Sequence, residues 1–277
     1  MEISRQTPKG ITERNRLLLG SIYRNLSGPF SVHEASEVLS LGTSRTRRLL
    51  AYLAERGWLV RVHHGLYAQT SIEAAEPSEW RHDPWIVAAK ILGPTYYFGG
   101  WSACEHWDLT EQVFRTSVVF TTRRVRSTDT EIHGFPIRIR RTALDKMFGL
   151  RSVWREQSKL NLSDPARTVI DILDSPELGG GIRHVADVVS TYFDGDHRND
   201  ALLANYLQQI GNRSIHKRLG YLIEALDVCA PELRRACVED MSAGVSLLDP
   251  SLPNRGSVDR RWNLRVNAKG LSTNTDR

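Results

Sequence analysis

Cysteine is scarce in this chain. Its 277 residues include only Cys104, Cys229 and Cys237. That odd number, with no CxxC pair, speaks against a disulfide framework and a zinc knuckle and points to a reducing compartment. Long apolar runs are missing too. No stretch approaches about 20 uninterrupted apolar residues, and the start Met1-Glu2-Ile3-Ser4-Arg5 lacks the apolar segment of a signal peptide. The expectation is a cytoplasmic chain that neither spans nor binds a membrane. No internal repeat or low-complexity tract occurs. With 40% apolar and 25% charged residues the composition is that of an ordinary globular protein. The length predicts about two domains at roughly 150 residues each.

Catalytic signatures are equally thin. Gly99-Gly100-Trp101-Ser102-Ala103-Cys104 lacks the second glycine of a GxSxG nucleophile elbow, and helix packing explains it better. Gly179-Gly180-Gly181 lacks the Lys-Ser or Lys-Thr ending of a phosphate loop and reads as a flexible helix entry. Asp194-Gly195-Asp196-His197 offers too few oxygen ligands for a calcium loop, and no HExxH spacing accompanies the nine histidines. Cys229 and Cys237, on either side of Pro231, suit buried apolar positions. The residues therefore predict no catalytic set, no metal site and no cofactor.

What is present is an uneven charge. The net charge is +5, and residues 1–70 alone hold ten Lys or Arg against five Asp or Glu. The rest of the chain sums to zero: residues 71–112 are acidic, 113–167 basic and 168–277 near balance. A basic N-terminal module suggests a polyanion as partner.

The pattern of that module is specific. Leu17, Leu18, Ile22 and Leu26 recur at helical spacing within Ile11–Leu26, and Gly28-Pro29 ends the helix. Ser31-Val32-His33-Glu34 is a capping box opening a short second helix that ends near Leu41-Gly42. Thr43 or Ser44 is placed to cap a third helix running to Gly57. On it Thr46, Leu49, Leu50 and Leu53 share one face and Ser44, Arg47, Arg48 and Ala51 the other, with Arg45 and Tyr52 at the margin. Trp58 to Ala68 alternates and turns at His64-Gly65, as a β-hairpin does. Helix, short helix, basic helix and hairpin is the layout of a winged helix-turn-helix, whose third helix enters the DNA major groove. The DNA-contacting residues expected from it are Thr43, Ser44, Arg45, Arg47 and Arg48 on the helix and Arg61, His63 and His64 on the wing. One such module covers a short half-site, so two copies on an inverted repeat of double-stranded promoter DNA, as a dimer or cooperatively, are expected.

Residues 71–80 are polar, acidic and contain a proline, and read as a linker. From 81 to 277 strands and helices mix. Asp83-Pro84 and Asp164-Pro165 each pair an N-cap with proline at the first helical position. Tyr96 to Gly99, Ser117 to Thr122, Glu131 to Phe135 and Ile137 to Arg141 read as strands. Gly181 to Phe193 and Ala201 to Leu226 read as helices, and Trp262 to Asn267 as a strand. The predicted class is thus α+β: an N-terminal winged helix-turn-helix followed by a larger mixed α/β domain. In that domain Arg123, Arg124, Arg126, Arg138 and Arg140, with Lys217 and Arg218, are candidates for an anion-binding surface. Arginines protecting an exposed sheet edge account for them equally well.

The pattern of the larger part resembles the AbiEi family, the antitoxin and repressor half of abortive-infection toxin–antitoxin operons, and the resemblance spans nearly the whole chain. The resemblance lies in Tyr97-Phe98-Gly99-Gly100-Trp101-Ser102-Ala103-Cys104-Glu105-His106-Trp107, Asp108-Leu109-Thr110-Glu111-Gln112, Val118-Val119-Phe120-Thr121-Thr122 and Ile132-His133-Gly134. It continues in Asp164-Pro165-Ala166-Arg167-Thr168-Val169-Ile170-Asp171, Pro176 with Gly179-Gly180, Lys217-Arg218-Leu219-Gly220-Tyr221-Leu222-Ile223-Glu224, Leu248-Asp249-Pro250 and Arg261-Trp262-Asn263-Leu264-Arg265-Val266-Asn267. It implies a non-enzymatic phage-defence protein that represses its own operon. Its C-terminal domain would neutralise, directly or functionally, a nucleotidyltransferase-like toxin encoded next door. The alternative is a winged-helix regulator whose second domain senses a ligand or dimerises, with no toxin partner.

Overall fold

A computed structural model describes residues 10–70, 83–125, 127–132 and 134–270. The linker expected at 71–80, as well as Arg126 and His133, lies outside the described residues. The architecture is mixed α+β. The chain divides into two compact units, one of Met1–Pro94, Glu131–Gly134 and Val153–Leu160, the other of Thr95–Thr130, Phe135–Ser152 and Asn161–Arg277.

In the first unit, α1 (Glu13–Asn25) starts at Thr12, whose side chain accepts from the Asn15 N–H. α2 (Val32–Leu39) starts at the predicted capping box: Ser31 Oγ accepts from the Glu34 N–H at 3.2 Å, and Glu34 Oε2 accepts from the Ser31 N–H at 2.7 Å. α3 (Thr43–Glu55) follows. The hairpin is β2 (Leu59–His63) and β3 (Leu66–Gln69), turning through Gly65 at φ 76°, a conformation glycine adopts without strain. A two-residue strand that periodicity did not reveal, β1 (Phe30–Ser31), pairs with β3 and gives the sheet order β1-β3-β2. Ile22, Phe30, Ala35, Leu50, Leu53 and Leu59 form the core beneath it. Fully burying a side chain of this size contributes about 1.5–3 kcal/mol.

α4 (Pro84–Leu92) has the predicted Asp83 cap, with Oδ1 accepting from the Trp85 N–H at 2.8 Å. It packs on the hairpin, Val87 and Ile91 meeting Val62, Leu66 and Ala68. Lys90 on α4 pairs with Glu34 of the capping box. Arg155 pairs with Asp83 at 2.7 Å and lies 3.9 Å above the Trp85 ring.

β4 (Tyr96–Phe98), β5 (Ser117–Thr121), β6 (Asp129–Ile132), β7 (Phe135–Arg141), β8 (Leu150–Arg155) and β9 (Ser158–Ser163) form one sheet in the order β6-β7-β5-β4-β9-β8. β5 runs antiparallel to β4 and parallel to β7, with Phe120 opposite both Tyr97 and Arg140. Glu131 to Phe135, read as one strand, instead spans the end of β6, a turn and the start of β7. α5 (Trp101–His106) leaves β4 through Gly99 and Gly100. A methyl group on Gly99 would lie 2.8 Å from the Phe120 ring, and one on Gly100 2.5 Å from the Leu178 carbonyl. Close packing, not nucleophile presentation, explains this glycine pair.

The larger unit's core lies among α6 (Pro165–Asp174), α7 (Ile182–Asp194), α8 (Asp200–Ile210), α9 (Arg213–Ala225) and α10 (Pro231–Asp240), joined by Trp262 and Leu264. The stretch Ala201 to Leu226, read as one helix, is two. Gly211 at φ 72° ends α8, and the Asn212 side chain caps α9 by accepting from the Ser214 N–H. The segment read as a strand at Trp262 to Asn267 narrows to β12 (Leu264–Arg265), between β10 (Ser246–Leu247) and β11 (Val258–Asp259).

Candidate nucleic-acid interface

α3 presents two faces. Thr46, Leu50 and Leu53 are buried, whereas Thr43, Ser44, Arg45, Arg47 and Arg48 are all exposed. None of the three arginines pairs with a carboxylate among the described residues. The cap differs from expectation: neither Thr43 nor Ser44 fills it. Gly42 is the N-cap and provides no side-chain acceptor, while its carbonyl accepts from Arg45 N–H at 2.9 Å and Thr46 N–H at 3.0 Å. The first-turn N–H groups of Thr43 and Ser44 are left without an intrahelical acceptor, and no acidic residue occupies that turn. Such a helix end attracts anions. Thr46 Oγ1 donates to the Gly42 carbonyl at 3.3 Å, so this threonine fixes the turn instead of facing outward.

The hairpin brings a second set of donors. Arg61, His63 and His64 are exposed, and the pairing register shifts between Arg61 and His63. The hairpin is tied to α1: the Tyr23 hydroxyl accepts from the Thr70 N–H at 3.2 Å and lies 3.0 Å from the Trp58 carbonyl, and Gln69 Nε2 donates to the Ile22 carbonyl at 3.2 Å. The eight residues expected from the sequence to contact DNA therefore fall on two exposed elements of one unit. The Glu34 carboxyl in the capping box is held below its usual pKa. Burial raises it, but hydrogen bonds from Lys90 and the Ser31 N–H outweigh burial.

The candidate arginine surface of the larger unit breaks up. Arg123 and Arg124 are exposed in the loop after β5. Arg138 pairs with Asp129 at 2.7 Å and lies 5.7 Å from the Trp101 ring, while Arg140 reaches Ser175 Oγ at 3.5 Å. Lys217 and Arg218 do not belong to a surface: they are 0% and 4% exposed. Lys217 Nζ donates to the Gly244 carbonyl and, at 3.3 Å, to Ser246 Oγ. Arg218 donates to the carbonyls of Leu173 at 2.7 Å, Asp174 at 3.2 Å and Leu247. Carbonyls at the end of α6 are natural acceptors for a cation, and here they draw the Arg218 guanidinium inward, while Lys217 is held by the Gly244–Ser246 segment.

A second constellation escaped the sequence reading. On α6, Arg167 and Asp171 sit four residues apart and are both buried, with Nε to Oδ1 at 2.9 Å. Arg167 also donates to the carbonyls of Lys146 and Phe148 and to the Tyr97 hydroxyl at 2.9 Å. Burial raises the Asp171 carboxyl to about 6 despite the guanidinium beside it. These residues line a cleft of about 420 Å3 with Arg140, Arg141 and Lys146. The i, i+4 spacing of Arg167 and Asp171 was visible in the sequence, but its burial was not.

Neither Ser102 nor Cys104 is poised for attack. Ser102 Oγ accepts from the Val118 N–H at 2.8 Å, and Cys104 is fully buried, which pushes its thiol pKa up. Cys237 is buried, its thiol pushed up to about 12, but Cys229 is exposed, contrary to the buried position expected for it. Among the described residues no three His, Cys, Asp or Glu side chains form a metal-binding group, and no helix is long and apolar enough to cross a membrane.

No curated protein matches the chain. The crystal structure of the RV2827C protein from Mycobacterium tuberculosis is similar at a TM-score of 0.62 and 15% identity, covering 94% of this chain and 93% of that one, a likeness of fold. Residues 24–69, from the end of α1 through the hairpin, match the family model described as "Transcriptional regulator, AbiEi antitoxin". The resemblance to AbiEi-type antitoxin regulators is thereby shown over the helix-turn-helix and hairpin, residues 24–69.

Proposed function

We propose that the chain is a DNA-binding antitoxin regulator that represses its own operon. α3 enters the major groove, where Arg45, Arg47 and Arg48 hold phosphates or guanine edges and Thr43 and Ser44 meet the backbone. Arg61, His63 and His64 contact the adjoining backbone or minor groove. The observation that supports this reading is the row of exposed arginines on α3, without a carboxylate partner among the described residues, within a segment matching a family of antitoxin regulators. The operator is an inverted repeat bound by two copies.

On this reading residues 1–70 bind DNA, 71–80 link, and 81–277 neutralise a nucleotidyltransferase-like toxin in phage defence. Arg123, Arg124, Arg138 and Arg140 are the first contacts to test there, because guanidinium groups engage acidic surfaces and phosphates alike. The alternative without a toxin is separated from it by the neighbouring gene.

Two measurements decide. A footprint on the chain's own promoter should cover both half-sites cooperatively; protection of one half-site with a Hill coefficient of one would remove the paired operator. Co-expression with the neighbouring gene should restore growth, and Arg123→Ala with Arg124→Ala should reduce rescue while leaving promoter binding intact. No rescue at equal abundance would leave a regulator without antitoxin function.

A further inference from the structure

The cleft of the larger unit is lined from several elements. Tyr97 and Phe120 of the sheet lie beneath one side, buried and stacked on each other at 4.7 Å and 1°. Arg140 and Arg141 end β7, Lys146 lies in the turn beyond it, and Arg167, Asp171 and Asp174 come from α6. Its volume of about 420 Å3 falls within the range of about 300–1,000 Å3 usual for small-molecule sites.

Two features of the lining are incomplete. Arg140, Arg141 and Lys146 pair with no carboxylate among the described residues, although Asp171 and Asp174 lie in the same cleft. Asp171 is 4% exposed, and its Oδ2 has no hydrogen-bond partner, while Oδ1 takes both Arg167 Nε and, at 3.2 Å, the Tyr97 hydroxyl. A buried acceptor left unmade costs about 1–3 kcal/mol, more when charged. Asp174 is better satisfied, accepting from Asn212 Nδ2.

We propose that this cleft binds a nucleoside phosphate, with Arg140, Arg141 and Lys146 holding the phosphates and Asp171 Oδ2 accepting an N–H of the base. An inorganic anion would use the cations and leave the carboxylate repelling it. A sugar phosphate would leave much of the cleft's volume of about 420 Å3 unfilled. A nucleotide joins an anion, a planar ring and an N–H donor within one molecule of suitable size. The inference concerns the larger unit alone and does not depend on the regulator reading, since binding is measured without DNA or toxin.

The test is calorimetric titration of the purified full-length chain, in EDTA, with the four ribonucleoside triphosphates, ribose 5-phosphate and pyrophosphate. One or more nucleotides should bind at one per chain, at least tenfold tighter than ribose 5-phosphate and pyrophosphate. Arg141→Ala with Lys146→Ala, whose side chains bond no other described residue while the Lys146 carbonyl that Arg167 uses is kept, should weaken nucleotide binding at least tenfold without moving the thermal unfolding transition. Asp171→Asn, if folded, should narrow the preference for nucleotide over pyrophosphate. Absence of nucleotide binding at millimolar concentration overturns the proposal. So does unchanged affinity in the double variant, or ribose 5-phosphate or pyrophosphate binding as tightly as the best nucleotide.

Discussion

The indole of Trp262 occupies the space where a side chain on Gly220 would stand: a methyl group built there would lie 2.0 Å from the Trp262 ring. Trp262 is fully buried, and its Nε1 donates to Glu224 Oε2 at 2.7 Å, one helical turn from Gly220 on α9. Gly220 and Glu224 thus form one seat for the ring.

Gly220→Ala is accordingly expected to destabilise the protein by about 1–3 kcal/mol through overpacking. Glycine inside a helix is otherwise worse than alanine by about 0.5–1 kcal/mol. In a Trp262→Ala background the same substitution should therefore change sign and stabilise by about that amount. Urea unfolding of the four proteins measures the cycle; equal costs in both backgrounds would show that the ring is not what Gly220 accommodates.

Arg47→Ala and Arg48→Ala should each lower the slope of log affinity against log salt by about 1 if the side chain meets a phosphate. If one reads a guanine, it should cost about 1–3 kcal/mol and relax a single operator position. Fluorescence anisotropy on promoter DNA across a salt series separates the two. A double variant that binds like the parent would take α3 out of the interface.

Asp171 gives a pH signature of unusual sign. Its folded pKa of about 6 lies above the usual carboxylate range, so its protonated form contributes stability that is fully present below about pH 4 and lost as pH rises through about 6. Asp171→Asn removes that loss. The stability of the variant relative to the parent should rise between pH 4 and 6, at up to about 1.4 kcal/mol per pH unit. A flat difference in urea midpoints over that window would mean the burial cost is not felt.

Glu34 behaves the opposite way. Its carboxyl is held below the ordinary value, so its contribution is present above that value and lost as pH falls through the depressed one. Glu34→Gln, which can keep the acceptor of the capping box but loses the Lys90 ion pair, should flatten the acid side of the unfolding curve. Ser31→Ala should cost about 1 kcal/mol at neutral pH.

The N-terminal unit was legible because its signals are local. Ser31 and Glu34 cap one helix, leucines at helical spacing mark α3, and Gly65 punctuates an alternating hairpin. In the larger unit the signals weaken. α10 buries only Leu233 and Cys237, too thin a stripe to stand out. β8 leaves Trp154 66% exposed and alternates poorly, so the β8 and β9 strands passed unnoticed. Lys217 and Arg218 misled for a different reason. Their acceptors are carbonyls at least 27 residues away in sequence, and only the folded chain brings these to α9. The pocket around Asp171 was hidden likewise: Arg167 is far in sequence from Arg140, Arg141 and Lys146, and only the folded chain brings the end of β7, the turn beyond it and α6 to one cleft.

Gly42 has a consequence for how the N-terminal unit responds to its partner. Its neighbours α1, α2 and α4 each begin at a side chain that completes the first turn, Thr12, Ser31 and Asp83, while α3 begins at a residue with nothing to offer. On the proposed reading the promoter supplies the missing cap in trans, a phosphate oxygen taking the place that a serine takes in α2. Ligand and helix would then finish one another, so that operator binding slows amide exchange at Thr43 and Ser44. Filling the position internally, by Gly42→Asn, should make the free protein sturdier and its hold on DNA weaker.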